Sequence, residues 1–482
     1  MPARALAVVA LVCLLASAGV AQPARDSEPD DAAARALRDW GHTIGTLGYV
    51  YGAPLLELSI AEYRQTHGLA RDVSAQRGLV GHLMQGELAT HETSWLATPD
   101  PDVLTSSAWL DLAPQPFVLW IPPMDGHWYS VQFEDAFTND VATLSSRTIG
   151  SVGGWYLVAA KDWQGEKPPG LMEDEVRVST PIAWMLLRIF ASRENAADFH
   201  ARYQAPFKLL PLDLYARNPN AAAFALPQAQ PGITPPIRAT DEMRGTLDAF
   251  RVINHRLRQL APTPGEETLL ALFDRAGFGP HVAFEPAKLP QPLVDGLRSA
   301  ARDAQKTIRD YRPELRPARH GWSATPPALG AFGDDYLLRA SAAFAGLGAS
   351  VPDEIVTARA TADSDGRTLD GRTDYVIHFA PKALPPAQAF WTIAAYDVES
   401  RRLLETNTGR HSIGSPTAGL HYAADGGLDV YLSSDPPEDK ERRANWLPVR
   451  HAPFFLVARI YQPLPAALDG SYALPPVLPD DD

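Results

Sequence analysis

Two distant segments of the chain repeat one residue pattern without a gap, and this repeat most constrains the fold. Each begins with a proline pair, reaches a tryptophan after four intervening residues and an aromatic-acid pair after four more, and has an arginine after a further twelve. The positions matched at a constant offset of 263 are Pro122-Pro123 with Pro385-Pro386, Trp128 with Trp391, Phe133-Glu134 with Tyr396-Asp397, and Arg147 with Arg410. Because a proline pair cannot extend a strand ladder, the repeat predicts two related β domains, each with a strand starting after the prolines.

Short segments with a period of two surround these repeats and predict the remaining strands. The clearest are Phe117–Ile121, Trp128–Asp135, Trp155–Ala159, Val176–Ser179, Tyr375–Phe379, Leu428–Leu432 and Phe454–Ile460. Proline, glycine and aspartate separate them, and no rhythm of parallel crossovers is visible. The pattern therefore favours sandwiches or jelly rolls.

Helical periodicity appears before and between these β regions. It predicts helices over Ala32–Tyr51, Pro54–Arg64, Asp241–Leu260, Leu293–Tyr311 and Asp334–Ala345, and a further helix after Thr180-Pro181 that carries Ile182, Met185, Ile189 and Phe199. The predicted fold is α+β and mainly β, with two related jelly-roll or β-sandwich-like domains joined by a helical middle segment. We predict a signal peptide over 1–21, an N-terminal helical and β domain over 22–235, the helical segment over 236–350 and the C-terminal β jelly roll over 351–482.

The first residues predict export. Arg4 is the one charge before an apolar run from Ala5 to Ala16, and small residues follow up to Ala21. This is the pattern of a secretory signal, and the run is too short to span a bilayer. The one cysteine, Cys13, lies inside that run, so the mature chain carries no thiol. Export without disulfides fits a bacterial periplasm, and a periplasmic or secreted protein is expected.

Charge and composition exclude several partners. The formal net charge is −14, and loss of Arg4 with the signal makes it −15. Such a surface repels phosphate backbones, and no cluster of basic residues interleaved with aromatics relieves it, so nucleic acid is not expected as a partner. No apolar run after the signal is long enough to cross a membrane, and no transmembrane segment is expected.

The repeat also supplies the candidate ligand site. Period two places Trp128 and Glu134 on one face and Trp391 and Asp397 on the matching face, and each repeat arginine is expected to meet its acid across a hairpin. A functional site would use the guanidinium to clamp an anionic or hydroxylated ligand and the tryptophan as an apolar platform. Alternatively, each arginine ties its sheet through a carboxylate or a carbonyl, and the tryptophans belong to the core.

Other chemistry is less visible. The thirteen histidines include no closely spaced pair of zinc-enzyme type, so no metal site is predicted, and no cofactor can be named. The chain has no glycine-framed nucleophile serine, no P-loop and no dinucleotide fingerprint. Carboxylates are plentiful, but no catalytic residue is assigned. Asn445 and Arg459 complete the candidate ligand residues, and Asn445 alternatively belongs to a rigid loop packed on the sheet.

The motifs of both halves resemble the bacterial family built from two adjoining domains of unknown function, numbered 1254 and 1214. The second is matched by LPPAQAFWTIAAYD, GRHSIG, DGGLDVYL and NWLP, and the first by SSAWLDL, WYSVQFEDAFTN and SRTIG. The family usually shows an Asn, Asp, Thr, Tyr cluster before SSAWLDL, and here Asp102 remains without the Asn or the Tyr. The resemblance implies paired jelly-roll-like domains joined by helices, often assembled as oligomers, and implies no settled chemistry.

Two functions therefore stay open. The first is an exported enzyme or binding protein for a small or polymeric envelope compound, such as a small molecule or a glycan, held on the concave β faces. The second is a non-catalytic envelope protein whose β faces bury each other in a homo-oligomer. An open polar concavity would favour the first, and buried faces would favour the second.

Overall fold

A computed structural model describes residues 29–67, 79–217, 236–311, 319–324 and 326–480. The predicted signal peptide lies outside these residues. The helices are α1 (Pro29–His67), α2 (Ala196–Phe199), α3 (Leu212–Arg217), α4 (Leu247–Leu257), α5 (Glu267–Arg275), α6 (Gln291–Asp310), α7 (Tyr336–Ala345), α8 (Lys440–Ala444) and α9 (Pro465–Leu468). Short 3-10 turns occur at Asp241–Met243 and Pro286–Lys288, and a π turn at His200–Gln204.

The strands fall into two groups separated by the central helices. The first group is β1 (Met84–Leu88), β2 (Val103–Asp111), β3 (Phe117–Ile121), β4 (Tyr129–Asp135), β5 (Asp140–Ser145), β6 (Gly154–Ala160), β7 (Glu175–Val178), β8 (Ile182–Phe190) and β9 (Lys208–Pro211). The second group is β10 (Trp322–Ala324), β11 (Ile355–Ala360), β12 (Tyr375–Phe379), β13 (Ala387–Asp397), β14 (Ser412–Gly414), β15 (Leu428–Ser433), β16 (Trp446–Pro448), β17 (Phe454–Pro463) and β18 (Val477–Pro479).

Each group of strands forms a sandwich of two sheets, as the predicted fold class requires. The N-terminal sandwich has a five-stranded sheet in the order β1-β2-β8-β4-β5 and a four-stranded sheet in the order β7-β6-β3-β9. The C-terminal sandwich has the orders β10-β11-β17-β13-β14 and β16-β15-β12-β18. The pairing is antiparallel except between β6 and β7 and between β15 and β16. The two sandwiches therefore share one strand order, including the position of the parallel pair.

The helices form a third unit that joins the sandwiches. Residues from α1, α4, α5, α6 and α7 share one apolar core. Gly41 and Gly45 of α1 lie directly against α6, where a Cβ atom on Gly41 would come within 2.6 Å of the Leu293 carbonyl. The helical core also reaches the N-terminal sandwich through Trp109, which stacks on Trp184 with ring centroids 5.4 Å apart. The first helix thus packs with the middle segment, although the sequence assigned it to the N-terminal domain.

Two helix predictions differ from the structure. The segment after Thr180-Pro181 is the central strand β8, not a helix, because its run of apolar residues is buried on both faces and so lacks the alternation of a half-exposed strand. The two helices predicted on either side of Pro54 are one helix, α1, which continues through that proline. The apolar side chains of this stretch are buried in the helical core, and such packing, more than local propensity, stabilises helices in proteins.

Helix α1 is also the one helix, within the described ranges, that is long and apolar enough to cross a membrane. Of its most apolar window, 78% is buried inside the protein. Its hydropathy is therefore accounted for by packing against the other helices.

Candidate functional site

The two sandwiches meet through the outer faces of their five-stranded sheets. Trp128, the residue before β4, packs edge-on against Phe390 and Tyr461, with ring centroids 5.6 and 5.0 Å away. Phe390 stacks on Tyr461 at 3.9 Å. All three side chains are at least nine-tenths buried, so the aromatic contact joins the domains within one chain.

A polar contact continues this seam. The segment from Thr98 to Asp102 precedes β2 and lies against β13 and β17 of the other domain. Arg459 donates from Nη1 to the Tyr396 hydroxyl at 2.8 Å and from Nη2 to the Thr98 carbonyl at 2.7 Å. Its Nε lies 3.8 Å from Asp100 Oδ2, and the Tyr461 hydroxyl donates to that same carboxylate. The Arg459 guanidinium therefore pairs with Asp100 of its own chain.

A cleft of about 1020 Å³ opens beside this seam. Its walls come from both sandwiches: β1, the start of β2 and the segment around α2 on one side, and the loop before β14 and the end of α8 on the other. The charged and imidazole side chains lining it are Glu87, Asp102, Arg193, Glu194, His200, Arg410, His411 and Arg443. Three arginines thus come together in one space of a chain that is strongly acidic overall, beside the exposed carboxylates of Glu87 and Glu194.

Asp102 lies at the floor of the cleft, where the domains touch. The Ser412 hydroxyl donates to Asp102 Oδ1 at 2.6 Å, while Oδ2 is buried and makes no hydrogen bond of normal geometry. Burial, followed by the nearby charge of Asp100, raises the pKa of the Asp102 carboxyl to about 7. The carboxyl therefore exchanges its proton near neutral pH, unlike an ordinary aspartate.

Arg410 and His411 form the neighbouring wall. Arg410 donates from Nη1 to the carbonyls of Ala444 and Trp446, at 3.1 and 2.8 Å, and so fixes the loop before β14 against β16. Nδ1 of His411 lies 3.0 Å from the Leu404 carbonyl, which holds the proton on that nitrogen. Burial lowers the pKa of His411, so the imidazole is neutral at neutral pH.

The predicted pairing of Glu134 with Arg147 is wrong. Arg147 donates from Nε to Glu354 Oε1 at 2.7 Å, on the segment leading to β11. Glu134 is buried and accepts from the Gly348 backbone N–H at 2.9 Å. Burial, with the charge of Asp140, raises the pKa of Glu134 to about 8. Both side chains thus tie the N-terminal sheet to the segment that enters the C-terminal domain.

The second predicted pair, Asp397 with Arg410, is also wrong. Asp397 ends β13 and accepts from the Ser400 backbone N–H and hydroxyl at 2.8 and 2.7 Å, with Arg450 at 3.5 Å. Asn445 is buried and exchanges two hydrogen bonds with the His421 backbone, at 2.7 and 2.8 Å. These contacts agree with the alternative interpretations, in which the repeat residues and Asn445 have structural roles.

The two repeat tryptophans do not occupy matching faces. Trp391 packs inside the C-terminal sandwich, 5.1 Å from Phe379, whereas Trp128 faces the other domain. The side chains of β13 that contact the N-terminal domain are Phe390, Thr392 and Tyr396. The face that they share does not include Trp391, the repeat equivalent of Trp128, because Trp391 lies one residue further along the strand than Phe390. A shift of one residue moves a side chain to the opposite face of a strand.

Of the eight residues predicted for a ligand site, Arg410 alone lines the cleft. Sequence patterns did not identify the other cleft residues, because they come from chain segments hundreds of residues apart. These residues are Asp102, Arg193, His411, Ser412 and Arg443. Within the described ranges, no cluster of three or more His, Cys, Asp or Glu side chains could hold a metal ion.

Residues 80–211 match the family described as "Protein of unknown function (DUF1254)", and these residues contain the whole N-terminal sandwich. Residues 354–465 match "Protein of unknown function (DUF1214)", which spans β11 to β17. The chain belongs to the family that pairs these two domains. The cleft thus lies between a DUF1254 domain and a DUF1214 domain.

Two solved structures are similar to this DUF1254–DUF1214 pair. The VPA0106 protein from Vibrio parahaemolyticus is 21% identical, with a TM-score of 0.68 over 92% of this chain and 100% of that one. An uncharacterized protein from Burkholderia cenocepacia is 13% identical, with a TM-score of 0.42 over 93% of this chain and 94% of that one. The first likeness shows that the fold is shared. No protein with a curated description matches the chain.

Proposed function

We propose that the chain is an exported protein that binds a small organic anion in the cleft between its two domains, as a binding protein or an enzyme of the cell envelope. The observation that carries this proposal is the convergence of three guanidinium groups on the cleft. Arg193, Arg410 and Arg443 come from three separate segments and line one space. Guanidinium groups suit carboxylate and phosphate, since each offers several donors in a planar fork.

The volume of the cleft and the hydrogen bonds of its arginines support the same proposal. A volume of about 1020 Å³ lies at the upper end of the range of small-molecule sites. Arg410 uses Nη1 for two carbonyls, and Arg443 uses Nε for the Pro437 carbonyl at 2.8 Å. Each guanidinium has five N–H donors, so both retain donors for a ligand.

The alternative of an assembly protein would require oligomer contacts on other faces of the chain. It rested on β faces that bury each other in an oligomer, and the faces carrying Trp128, Phe390 and Arg459 bury each other within one chain. Export rests on the leader sequence, and we propose cleavage near Ala21 and a periplasmic or secreted location.

A thermal-shift screen of the protein without residues 1–21 tests this function. The probes are inorganic phosphate, citrate, glycerol 3-phosphate and an anion-exchange fraction of envelope metabolites. We expect at least one anion to raise the Tm of the wild type, and we expect Arg443→Gln to lose most of that shift, because the substitution removes a cleft charge and keeps the shape.

Arg251→Gln is the matched control, because Arg251 is an exposed arginine on α4 whose partner is Asp248. The anion should raise the Tm of this variant as much as it raises the Tm of the wild type. A shift that survives Arg443→Gln, Arg193→Gln and their combination would mean that the ligand binds elsewhere and would contradict the proposal.

A further inference from the structure

The most unusual contact in the cleft joins a hydroxyl to a carboxyl across the domain boundary. Ser412 begins β14 of the DUF1214 domain, and Asp102 precedes β2 of the DUF1254 domain. Their oxygens are 2.6 Å apart, and both residues line the cleft. A donor-acceptor distance this short is typical of a hydroxyl bonded to a charged acceptor.

We propose that Ser412 is a nucleophile with Asp102 as its base, and that the cleft hydrolyses small esters that carry a negative charge. This inference rests on the proposed function, because it takes the same cleft and the same arginines as the binding site. It adds a reaction, the substrate class and the residues that act on the ester bond.

Asp102 is suited to take a proton from a serine because of its surroundings. An ordinary aspartate, with a pKa near 3.8, is too weak a base for this task. Burial and Asp100 raise the pKa of Asp102 to about 7, close to the value of about 6.5 for the histidine that serves as base in familiar serine hydrolases. Asp102 Oδ1 already accepts from the Ser412 hydroxyl, so the geometry for the transfer is in place.

The cleft wall also supplies cations for the proposed reaction. An ester carbonyl develops negative charge when Ser412 attacks, and a cation close to the carbonyl oxygen stabilises that charge. Arg410 is two residues from Ser412 and lines the same cleft. Arg193 and Arg443 are separate cations that can hold the carboxylate or phosphate of the substrate.

The proposed steps balance with water as the only co-reactant. The Ser412 Oγ–H proton moves to the Asp102 carboxylate as Oγ bonds to the ester carbon. The bond from that carbon to the alkoxy oxygen then breaks, and Asp102 returns the proton to the leaving alcohol. A water molecule attacks the acyl group on Ser412, again giving a proton to Asp102, and Oγ leaves the carbon and regains that proton.

Covalent labelling with a fluorophosphonate probe tests the inference directly. The Ser412 oxygen would bond to phosphorus, fluoride would leave, and the proton would go to Asp102. We expect peptide mass spectrometry to find the phosphonate on Ser412. The labelling rate should rise with pH through a midpoint near 7, as the Asp102 carboxyl ionises.

Variants define the roles. Ser412→Ala should abolish the label, and Asp102→Asn should slow it by about 100-fold or more, since an amide cannot take the proton. Ser471→Ala, at an exposed serine in the same domain, should change nothing. Hydrolysis of mono-4-nitrophenyl succinate, an anionic ester, should depend on Arg443, whereas hydrolysis of neutral 4-nitrophenyl acetate should not.

The wild-type result decides the question even where a variant folds poorly. If Ser412 is labelled no faster than Ser471, or if labelling is independent of pH between 5 and 9, the nucleophile inference is overturned. An anion that stabilises the wild type through Arg443 would then leave the binding proposal standing. Loss of both the anion shift and the label would reject the two proposals together.

Discussion

Replacing Arg459 with alanine is expected to lower the free energy of unfolding by about 3–5 kcal/mol, the usual cost of breaking a buried charge pair from one side. Only 8% of Arg459 is exposed, and the substitution removes the cation beside the Asp100 carboxylate and the N–H donors to the Tyr396 hydroxyl and the Thr98 carbonyl. Urea unfolding followed by tryptophan fluorescence measures the effect. Arg251→Ala, at an exposed ion pair on α4, should cost less than about 1 kcal/mol.

A double substitution separates the ion pair from simple packing. Asp100→Asn with Arg459→Met removes both charges while retaining most of the volume. It should recover part of the loss, because no buried charge is left alone. Equal stability of Arg459→Ala and the wild type would show that the contacts of Arg459 do not help to hold the two domains together.

The second large effect is a loss of stability with rising pH that depends on Glu134. Burial raises the pKa of Glu134 to about 8, from an unfolded value near 4.5. The folded state therefore binds more protons than the unfolded chain between these values. The contribution of Glu134 to the free energy of unfolding is fully present below pH 4.5 and is lost as pH rises through 8. At about 1.4 kcal/mol for each unit, the loss amounts to several kcal/mol.

Glu134→Gln should reduce this slope, because glutamine keeps an oxygen that accepts from Gly348 and cannot ionise. Thermal unfolding from pH 5 to pH 9 measures the change. We expect the variant to match the wild type near pH 5 and to exceed it at pH 8.5 and above. A smaller dependence of stability on pH should remain, since Asp102 and Asp140 have pKa values raised to about 7. Glu405→Gln, at an exposed loop position, should keep the wild-type slope, and parallel curves for Glu134→Gln would contradict the account.

Patterns within one element predicted the fold well. Alternation located β12, β15 and β17, and helical spacing located α4, α6 and α7 with their bounds within a few residues except at the start of α4. The strand β8 was missed because a strand buried on both faces has no alternation to detect. The fold class therefore followed from local periodicity. One error arose where burial removed that periodicity, in β8, and another where the helix α1 continued through Pro54.

The candidate site could not be predicted in the same way. Ser412 and Asp102 are hydrogen-bonded, yet 310 residues separate them, and no local pattern links the two. The repeat drew attention to Asp397 and Arg147, whose partners are a turn and a glutamate of another segment. Spacing along one strand fixes a face, but it does not fix which other segment packs there.

The measurement that tests the central claim most directly is the rate at which charged reagents modify a cysteine in the cleft. The chain without residues 1–21 has no cysteine, so Ala418→Cys on the cleft wall and Ala383→Cys on an exposed turn each carry a single thiol. Each is treated with methanethiosulfonates bearing a sulfonate or a trimethylammonium group. We predict that the ratio of anionic to cationic rate is several-fold higher at Ala418→Cys, and that added salt or Arg443→Gln lowers it. A ratio equal to or below that of Ala383→Cys would contradict a cleft that collects anions.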